Sequence, residues 1–500
     1  MRRGLRGIEK ESLRVDRNGR LSDRPHPPAL GAALTHPYLT TDYSEALLEF
    51  VTPPRPTSWE TLKFLCDLHG YVHRRLDGEL LWPASMPCVL DPEREIPIAE
   101  YGPSNPGLVK TVYRRGLGYR YGRAMQAIAG VHLNYSPPVP FWAPYRERER
   151  SELPVGQFKS AVLMGLVRNY RRTAWLVTYL FGASPALCKS FRPEGHELLV
   201  ELDHATWHAP YATSLRMSGL GYRNKSQARL DISANSLAEY VAGLAAAVTT
   251  PDPRYQAIGV EVDGEFRQLN ANILQIENEY YTPIRPKPSK DSKSRVTIAL
   301  RERGIEYVEV RTLDVSLADP VGVNQAELRL LEALLLTCLL MPSPPLDGEE
   351  QSEIEARDVL VASEGRRPGL LLPSGGRGRT VADLGGELLD SVAATAELLD
   401  ANGEGYVAAV EAARAALAEP ELTPSAALLA ALRHEGASFA EYVLDVARSH
   451  REYFLALEPD PDAERTLEAL AAESLERARA LEAVEQLPFG EYLRRELGRA

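Results

Sequence analysis

The stretch Gly7-Ile-Glu-Lys-Glu-Ser-Leu-Arg-Val15 is the part of this sequence from which the fold can be predicted. Its apolar and charged residues roughly alternate, which is typical of a half-buried β-strand. Glu9 and Glu11 would then project from one face of the strand and Lys10 from the other. Two neighbouring carboxylates repel each other unless a cation lies between them, and oxygen ligands suit hard cations such as Mg²⁺. Taken alone, the stretch favours a solvated edge strand, because exposed glutamate is common.

The same alternation recurs in two later stretches. His132 and Asn134 share one face of a second predicted strand, and Glu309 and Arg311 share one face of a third. If the three strands are neighbours in one sheet, their polar faces form a floor of acidic ligands with one imidazole and one guanidinium. Each residue also has an ordinary interpretation, His132 as a structural histidine and Arg311 as the ion-pair partner of Glu309. Together the three patterns favour a Mg²⁺–ATP site, in which the arginine neutralises a transferring phosphoryl group.

Apolar residues at helical spacing predict helices in several parts of the chain. The stretch 42–50 is ambiguous, since Glu45 and Glu49 fit either one face of a helix or positions near a strand. The apolar run 330–340 contains Glu332 and is too short to span a bilayer, so a buried helix is predicted there. The other helices predicted from spacing cover 57–76, 158–181 and 237–249.

The composition of the chain changes after about Pro342. From Val381 onward Ala, Leu, Glu and Arg dominate. We therefore predict a catalytic body over 1–342 and a linker with an accessory helical region, packed on that body, over 343–500. Helical periodicity in the second part is broken at Gly403, Pro420 and Gly436.

The overall composition limits the class of protein. The 500 residues are 44% hydrophobic and 25% charged, which is typical of a soluble globular protein, and neither a signal peptide nor a membrane span is expected. A net charge of -12 argues against a nucleic-acid binder that depends on phosphate neutralisation. Four scattered cysteines without a Cys-x-x-Cys pair indicate neither a zinc site nor a disulfide framework, so a cytoplasmic location is expected. The chain also lacks a Gly-rich phosphate loop and a Ser/His/Asp motif.

Eight blocks of the sequence resemble the bacterial glutamate–cysteine ligases of the proteobacterial type. The blocks run in family order from about Gly7 to Gly322, with a weaker echo over 364–369, and blocks of this length are far more specific than a short motif. They cover 7–15, 35–50, 82–88, 129–135, 179–185, 211–216, 274–280 and 304–311.

This resemblance implies an ATP-dependent enzyme of the glutamine-synthetase-like carboxylate–amine ligases. It implies an α+β fold whose curved, mostly antiparallel sheet holds the metals on its concave face and is surrounded by helices. Two departures from the family are expected to lie away from the site. The chain begins only a few residues before Glu9, without the N-terminal helix of longer relatives, and its Ala-rich helical end matches family sequences poorly.

The resemblance also implies roles for individual residues. The expected catalytic residues are His132 and Arg311, which would address the phosphates, and Arg216, which would hold a substrate carboxylate. The carboxylates implied to bind Mg²⁺, with Mn²⁺ as an alternative ion, are Glu9, Glu11, Asp42, Glu49 and Glu309. The residues implied to bind the amino-acid substrates are Tyr113, Leu117, Gln126, Arg216, Tyr222 and Tyr281, the last two facing the cysteine.

The implied reaction joins L-cysteine to the γ-carboxylate of L-glutamate through a γ-glutamyl phosphate, giving γ-glutamylcysteine, ADP and phosphate, the first step of glutathione synthesis. The expected partners are these small molecules and ATP, without nucleic acid or membrane, and the enzyme is expected to be a monomer. One alternative is a related ligase with another amine acceptor, such as ammonia, a polyamine or a different amino acid. A second is a catalytically silent Mg²⁺-nucleotide-binding protein on the same fold. A structural helical protein is a third, which the polar alternations do not support.

Overall fold

The computed structural model describes residues 4–91, 95–191, 196–221, 230, 232–289, 295–484 and 486–497. The strands are β1 Leu5–Val15, β2 Leu39–Thr41, β3 Leu47–Val51, β4 Leu80–Leu81, β5 Val131–Ser136, β6 Ala186–Cys188, β7 Val200–Glu201, β8 Thr206–His208, β9 Glu261–Val262, β10 Glu265–Phe266, β11 Ile284–Lys287, β12 Tyr307–Leu313, β13 Leu371–Ser374 and β14 Arg377–Thr380. The helices are α1 Ser58–Arg75, α2 Asn105–Tyr121, α3 Trp142–Arg148, α4 Val155–Phe181, α5 Leu237–Thr249, α6 Pro253–Ile258, α7 Val296–Arg303, α8 Gln325–Leu340, α9 Gly348–Glu364, α10 Val381–Leu399, α11 Tyr406–Ala418, α12 Pro424–Glu435, α13 Phe439–Ala456, α14 Pro461–Ala483 and α15 Phe489–Leu497.

A seven-stranded sheet lies at the centre of the molecule. Six strands follow the order β11-β12-β5-β1-β3-β2, and the short β4 pairs with the end of β1. Every pairing in this sheet is antiparallel. The three strands predicted from polar alternation, β1, β5 and β12, are therefore direct neighbours, and the predicted α+β class with a mostly antiparallel sheet is confirmed.

The two faces of the sheet differ in character, as the period-two pattern requires. One face carries the side chains of Ile8, Leu133 and Val310, which are buried in the main hydrophobic core. Lys10 lies on this apolar side, where it is buried, donates a hydrogen bond to Ser12 and stands over the ring of Phe50. Burial lowers the pKa of Lys10 to about 7. Glu9 and Glu11, which alternate with Ile8 and Lys10 along β1, face the opposite, polar side.

Helices pack on the apolar face of the sheet and bury it. The long α4 packs on β11, β12 and α8, and α1 packs on β1, β3 and α8. Helix α8 begins at a capping box in which Asn324 and Glu327 satisfy each other's backbone N–H groups. Within it, Glu332 is buried and pairs with Arg6 of β1. The buried helix predicted from the run 330–340 is confirmed.

The helices after residue 342 pack against the same central layer. Helices α10 and α11 contact each other and α8, α9 contacts α4, and α13 and α14 contact α1. The predicted helix breaks coincide with helix ends, since α11 follows Gly403 and Gly405, and α13 follows Gly436. Gly405 and Gly436 both have positive φ, which glycine adopts without strain. Among the described residues, no helix is long and apolar enough to cross a membrane.

An aromatic stack joins α13 to the back of the sheet. The ring of His69 stacks on Phe50 with centroids 4.2 Å apart and on Phe454 at 5.3 Å. His73 stacks on the same Phe454 ring at 4.9 Å. Burial, followed by the charge of Lys10, lowers the pKa of His73 to about 3 and that of His69 well below its usual value. Both imidazoles are therefore neutral in the folded protein at neutral pH.

These neutral histidines predict a loss of stability in acid. Because the folded pKa of His73 lies below the ordinary value near 6.5, the unfolded chain takes up the proton first as the pH falls. The contribution is complete above about pH 6.5 and decreases from there toward pH 3, by up to roughly 1.4 kcal/mol per pH unit for each group. Thermal unfolding between pH 7 and pH 5 should therefore show a smaller decrease in Tm for His73→Gln than for the unmodified protein. The exposed His434 offers the control, and parallel curves for all three proteins would contradict this account.

Candidate active site

A cavity of about 360 Å³ lies above the polar face of the central sheet. Its floor is built from β1, β3, β5, β11 and β12, and its wall from α2. The residues that line it include most of those predicted from sequence: Glu9, Glu11, Asp42, Glu49, Tyr113, Leu117, Gln126, His132, Tyr281, Glu309 and Arg311. The predicted Arg216 is not among the lining residues, and the predicted Tyr222 lies outside the residues that the structure describes.

The strand register explains why these side chains meet. In the antiparallel pairing, Glu9 stands opposite His132 and Glu11 stands opposite Glu49. Directly opposed residues in a sheet point to the same face, so all four side chains reach the cavity. The stretch 42–50, ambiguous from its sequence, resolves into a loop that carries Asp42 and the strand β3 that carries Glu49.

The register also changes next to Arg311. Val310 pairs with Leu133, whereas Leu313 pairs with Val131, so Arg311 and Thr312 together oppose the single residue His132. An extra residue of this kind is a β-bulge, which bends a strand and re-aims its side chains and is common beside active sites. The bulge places Arg311 Nη1 3.4 Å from His132 Nδ1.

Glu9, His132 and Glu309 form a compact group at the centre of the floor. One ligand atom of each lies within 4.8 Å of the other two, a spacing that a single metal ion can bridge. His132 Nδ1 is 3.5 Å from Glu9 Oε2, and Asn134 donates a hydrogen bond of 3.0 Å to Glu9 Oε1. Burial opposes ionisation of Glu9, yet the hydrogen bond with His132 helps to lower its pKa to about 2. Burial and the charge of Arg311 lower the pKa of His132 to about 4, so its imidazole is neutral, as a metal ligand must be.

A second acidic group lies beside the first. Glu11 accepts a hydrogen bond of 2.7 Å from the backbone N–H of Gly130. Burial and the neighbouring Asp42 raise the pKa of Glu11 to about 8. Burial and the charge of Glu9, followed by Asp42, raise the pKa of Glu49 well above its usual value. Glu11, Asp42 and Glu49 thus lie close enough to repel one another, and a bound cation would relieve this repulsion.

Basic side chains border the opposite end of the floor. Lys287 Nζ lies 2.5 Å and Arg285 Nη1 3.8 Å from the Glu309 carboxylate, and Arg311 also pairs with it. Burial opposes ionisation of Glu309, but the charge of Lys287, followed by Arg311, keeps its pKa well below the usual value. Sequence reasoning missed Arg285 and Lys287 as site residues. Their two-residue spacing in Pro283-Ile-Arg-Pro-Lys287 was the available signal, although the prolines obscure the strand pattern.

Helix α2 supplies the wall. Its Tyr113 and Leu117 line the cavity, together with Lys110 and Arg114, which sequence reasoning missed. Arg114 also donates hydrogen bonds to the backbone oxygens of Thr41 and Asp42, so it ties the wall to the acidic end of the floor. The helix begins at the cap Ser104, whose side chain accepts a hydrogen bond from Gly107 N–H.

Arg216 is buried next to the floor, with 1% of its surface exposed. Its Nη2 donates a 3.0 Å hydrogen bond to the backbone oxygen of Arg311, and its Nη1 lies 3.7 Å from Asp314. The sulfur of Met217 lies 3.2 Å from both Arg216 Nη1 and the hydroxyl of Tyr281. The structure thus brings Arg216 to within one layer of the cavity and connects it to two residues that line the cavity.

Comparison with known proteins shows which family this sequence is similar to. The family model described as glutamate-cysteine ligase matches residues 1–361. The glutamate–cysteine ligase of Saccharophagus degradans is 46% identical over 494 residues, which covers 98% of this chain and 93% of the relative. That of Pseudomonas aeruginosa is 48% identical over 480 residues, which covers 96% of this chain and 91% of the relative. These alignments run through nearly the whole chain, so the C-terminal helices, expected to match the family poorly, have counterparts in both relatives.

Solved structures give the same result. The crystal structure of glutamate–cysteine ligase from Francisella tularensis in complex with AMP has a TM-score of 0.94 and 33% sequence identity, and the match covers 100% of this chain and 98% of that one. A bifunctional glutathione synthetase from Pasteurella multocida shares the fold, with a TM-score of 0.71 and 23% identity over 90% of this chain and 52% of that one. The protein described here belongs to the glutamate–cysteine ligase family.

Proposed function

We propose that this protein joins L-cysteine to the γ-carboxylate of L-glutamate with cleavage of ATP, giving γ-glutamylcysteine, ADP and phosphate, the first step of glutathione synthesis. The observation that carries this proposal is the group formed by Glu9, His132 and Glu309 beside Arg311, on one face of the sheet in a member of this family. A metal-binding group next to a guanidinium is what phosphoryl transfer requires, because the transferring group carries spread negative charge.

We infer that the carboxylates of the floor hold Mg²⁺, or Mn²⁺ in its place. The donor set fits such an ion, since it consists of buried and partly buried oxygen ligands with one neutral imidazole nitrogen, and the crowding of like charges around Glu11 and Glu49 favours a cation there. The ion would neutralise phosphate charge during transfer. The residues proposed to hold it are Glu9, Glu11, Asp42, Glu49, His132 and Glu309.

The chemistry follows in two transfers. A carboxylate is a poor acyl donor, so an oxygen of the γ-carboxylate first attacks the γ-phosphorus of ATP, and ADP leaves. The cysteine amine then attacks the carbonyl carbon of the γ-glutamyl phosphate, and phosphate leaves. Arg311, Arg285 and Lys287 are placed to neutralise the transferring group, and no protein nucleophile is required. Positioning and charge neutralisation then supply most of the acceleration.

The amino-acid pockets are proposed to lie along α2 and the strand ends that face it. Tyr113, Leu117 and Gln126 line that side of the cavity, and Tyr281 lines it from the segment before β11. An apolar and aromatic lining suits a small thiol side chain, which offers little hydrogen bonding. Arg216 is proposed to hold a substrate carboxylate, and Tyr222 to face the cysteine with Tyr281. The division into a body over 1–342 and an accessory region over 343–500, the monomeric state and the cytoplasmic location stay predictions from the sequence.

The proposed function is tested by ADP release from the purified protein with Mg²⁺, ATP and glutamate, adding one candidate amine at a time. We expect cysteine to give by far the highest kcat/KM, γ-glutamylcysteine to be the product, and chelation of the metal to stop turnover. A preference for ammonia or a diamine would overturn the acceptor assignment and keep the phosphoryl-transfer site. Binding of ATP without turnover for any amine would overturn the catalytic proposal.

Gly130 should be indispensable for this activity. A Cβ atom at this position would overlap the guanidinium of Arg216, which is buried and held by its contacts with Arg311 and Asp314. Gly130→Ala should therefore displace Arg216 or the strand end that holds Glu11, and kcat/KM should decrease on the order of 100-fold, since a misplacement of about 1 Å has this effect. The matched control is Gly156→Ala, because a Cβ at Gly156 would meet nothing within 4 Å. Equal activities of the two variants would show that Arg216 tolerates displacement.

A further inference from the structure

A small hydrophobic cluster, separate from the main core, lies behind the α2 wall of the cavity. Val112, Leu269 and Leu493 are its buried members. Phe266 and Phe489 pack against it and meet edge to face, with ring centroids 4.9 Å apart. Leu493 and Phe489 belong to α15, which is the last described helix of the chain. The cluster is therefore completed by a segment more than 360 residues away from α2 along the sequence.

Hydrogen bonds join the same segment to the first turn of α2. The backbone N–H of Asn105 donates to the side-chain oxygen of Gln486 at 3.0 Å. The side-chain amide of Asn105 donates to the backbone oxygen of Leu487 at 2.9 Å. Only 3% of the surface of Asn105 is exposed, although it opens a helix at the molecular surface. We call residues 486–497, which make these contacts, the C-terminal arm.

The C-terminal arm packs on the first half of α2, to which the main core also contributes through Tyr113, whereas the second half is held by the main core and by residues 268–279. In the second half, Leu117 belongs to the main core, and the buried Arg120 pairs with Glu279 at 3.2 Å and donates a 2.9 Å hydrogen bond to Gln268. Tyr121 donates a further hydrogen bond to Glu279. In the first half, by contrast, the buried apolar residue is Val112, which packs in the cluster that the arm completes.

The arm lies one layer away from the cavity. Val109, Leu269 and Ile276 pack in the cluster and also line the cavity. Lys110 and Tyr113, on the neighbouring turn of α2, line the same wall. A shift of the first half of α2 would therefore move the wall of the cavity directly. The basic residues of β11 and β12 border the floor and are not part of this cluster.

We propose that the C-terminal arm is a positioning element for the amino-acid side of the active site. It holds the first half of α2 against the cavity, so residues at the end of the chain set the affinity for the amino-acid substrates and leave ATP binding almost unchanged. This inference rests on the proposed function for the identity of the substrates. That the arm holds the first half of α2 in place rests on the contacts alone.

The test compares Leu493→Ala and a protein that ends at residue 484 with the full chain. We expect the KM values for glutamate and cysteine to increase about tenfold in both variants, while kcat and the KM for ATP change less than about twofold, since displaced binding groups weaken only the ligands that they contact. Leu481→Ala is the matched control, because Leu481 is an exposed leucine on the preceding helix. It should leave all constants unchanged.

Amide hydrogen exchange provides a second readout that does not depend on activity. In both variants, exchange over 105–112 should become faster, while exchange over 117–121 stays as in the full chain. The proposal would be overturned if exchange over 105–112 were unchanged. It would also be overturned if kcat and the KM for ATP worsened as much as the KM values for the amino acids and Tm decreased with them. If the full chain itself releases no ADP with the amino acids, the proposed function fails, and the exchange experiment still decides whether the arm holds α2.

Discussion

Replacing Glu309 by glutamine is expected to abolish ATP turnover, with a loss of kcat of at least about 100-fold, since even second-layer partners of metal ligands contribute 10- to 100-fold. Glu309 is almost completely buried and shares the central group with Glu9 and His132. Glutamine has nearly the same volume but no charge, so it removes a proposed metal ligand and the counter-charge of Lys287 together. The measurement is steady-state ADP release with Mg²⁺, ATP, glutamate and cysteine.

The fold of this variant should persist, because Val308 and Val310 keep β12 in the core. Circular dichroism and thermal unfolding will establish that the variant is folded. Glu306→Gln is the matched control, since Glu306 is exposed beside the same strand and pairs with Lys159 outside the cavity lining. If Glu309→Gln kept most of its activity while remaining folded, the assignment of Glu309 as a metal ligand would be wrong.

Replacing Arg311 by methionine is expected to lower kcat on the order of 1,000-fold, the lower end of what an arginine beside a transferring phosphoryl group contributes. Methionine keeps the length of the side chain and removes its charge. The bulge at Arg311 and Thr312 places the guanidinium next to both His132 and Glu309, so the substitution removes the charge from this position. Lys287 and Arg285 remain to bind phosphate, so the KM for ATP should change much less than kcat.

Single-turnover formation of the γ-glutamyl phosphate, measured without cysteine, separates the two steps for this variant. A loss confined to that first transfer supports the role of Arg311 at the phosphoryl group. A loss confined to the attack by cysteine would assign Arg311 to the second step instead. Arg301→Met, at an exposed position on α7, controls for the loss of a surface charge and should have ordinary activity.

Much of the site could be predicted from local pattern. The period of two in β1, β5 and β12 places Glu9 with Glu11, His132 with Asn134, and Glu309 with Arg311, because side-chain direction along a strand is fixed by the backbone itself. The same reasoning placed Lys10 on the opposite face, where the structure has it. Helices with clear apolar spacing, such as α1 and α4, were equally predictable. These features depend only on neighbours in sequence.

Other features follow from contacts between distant segments. The sequence of 42–50 was compatible with either a helix or a strand, and its pairing with β1 makes the second half of this stretch the strand β3. Arg285 and Lys287 became site residues only because β11 pairs with β12, and the bulge that aims Arg311 arises from the register against β5. The burial of Arg216 depends on the absence of a side chain at Gly130, more than 80 positions away.

By itself, then, the sequence determined which residues of β1, β5 and β12 share a face, where several of the helices lie and, through its resemblance to known enzymes, the family. The tertiary structure alone decided which faces meet, how far apart the side chains of Glu9, His132, Glu309 and Arg311 lie, and that the C-terminal arm contacts α2. The physical reason is the range of the forces involved. Backbone geometry and hydrophobic periodicity act over a few residues. Strand register, ion pairing and the packing of α15 on α2 are set only when segments far apart in the sequence come into contact.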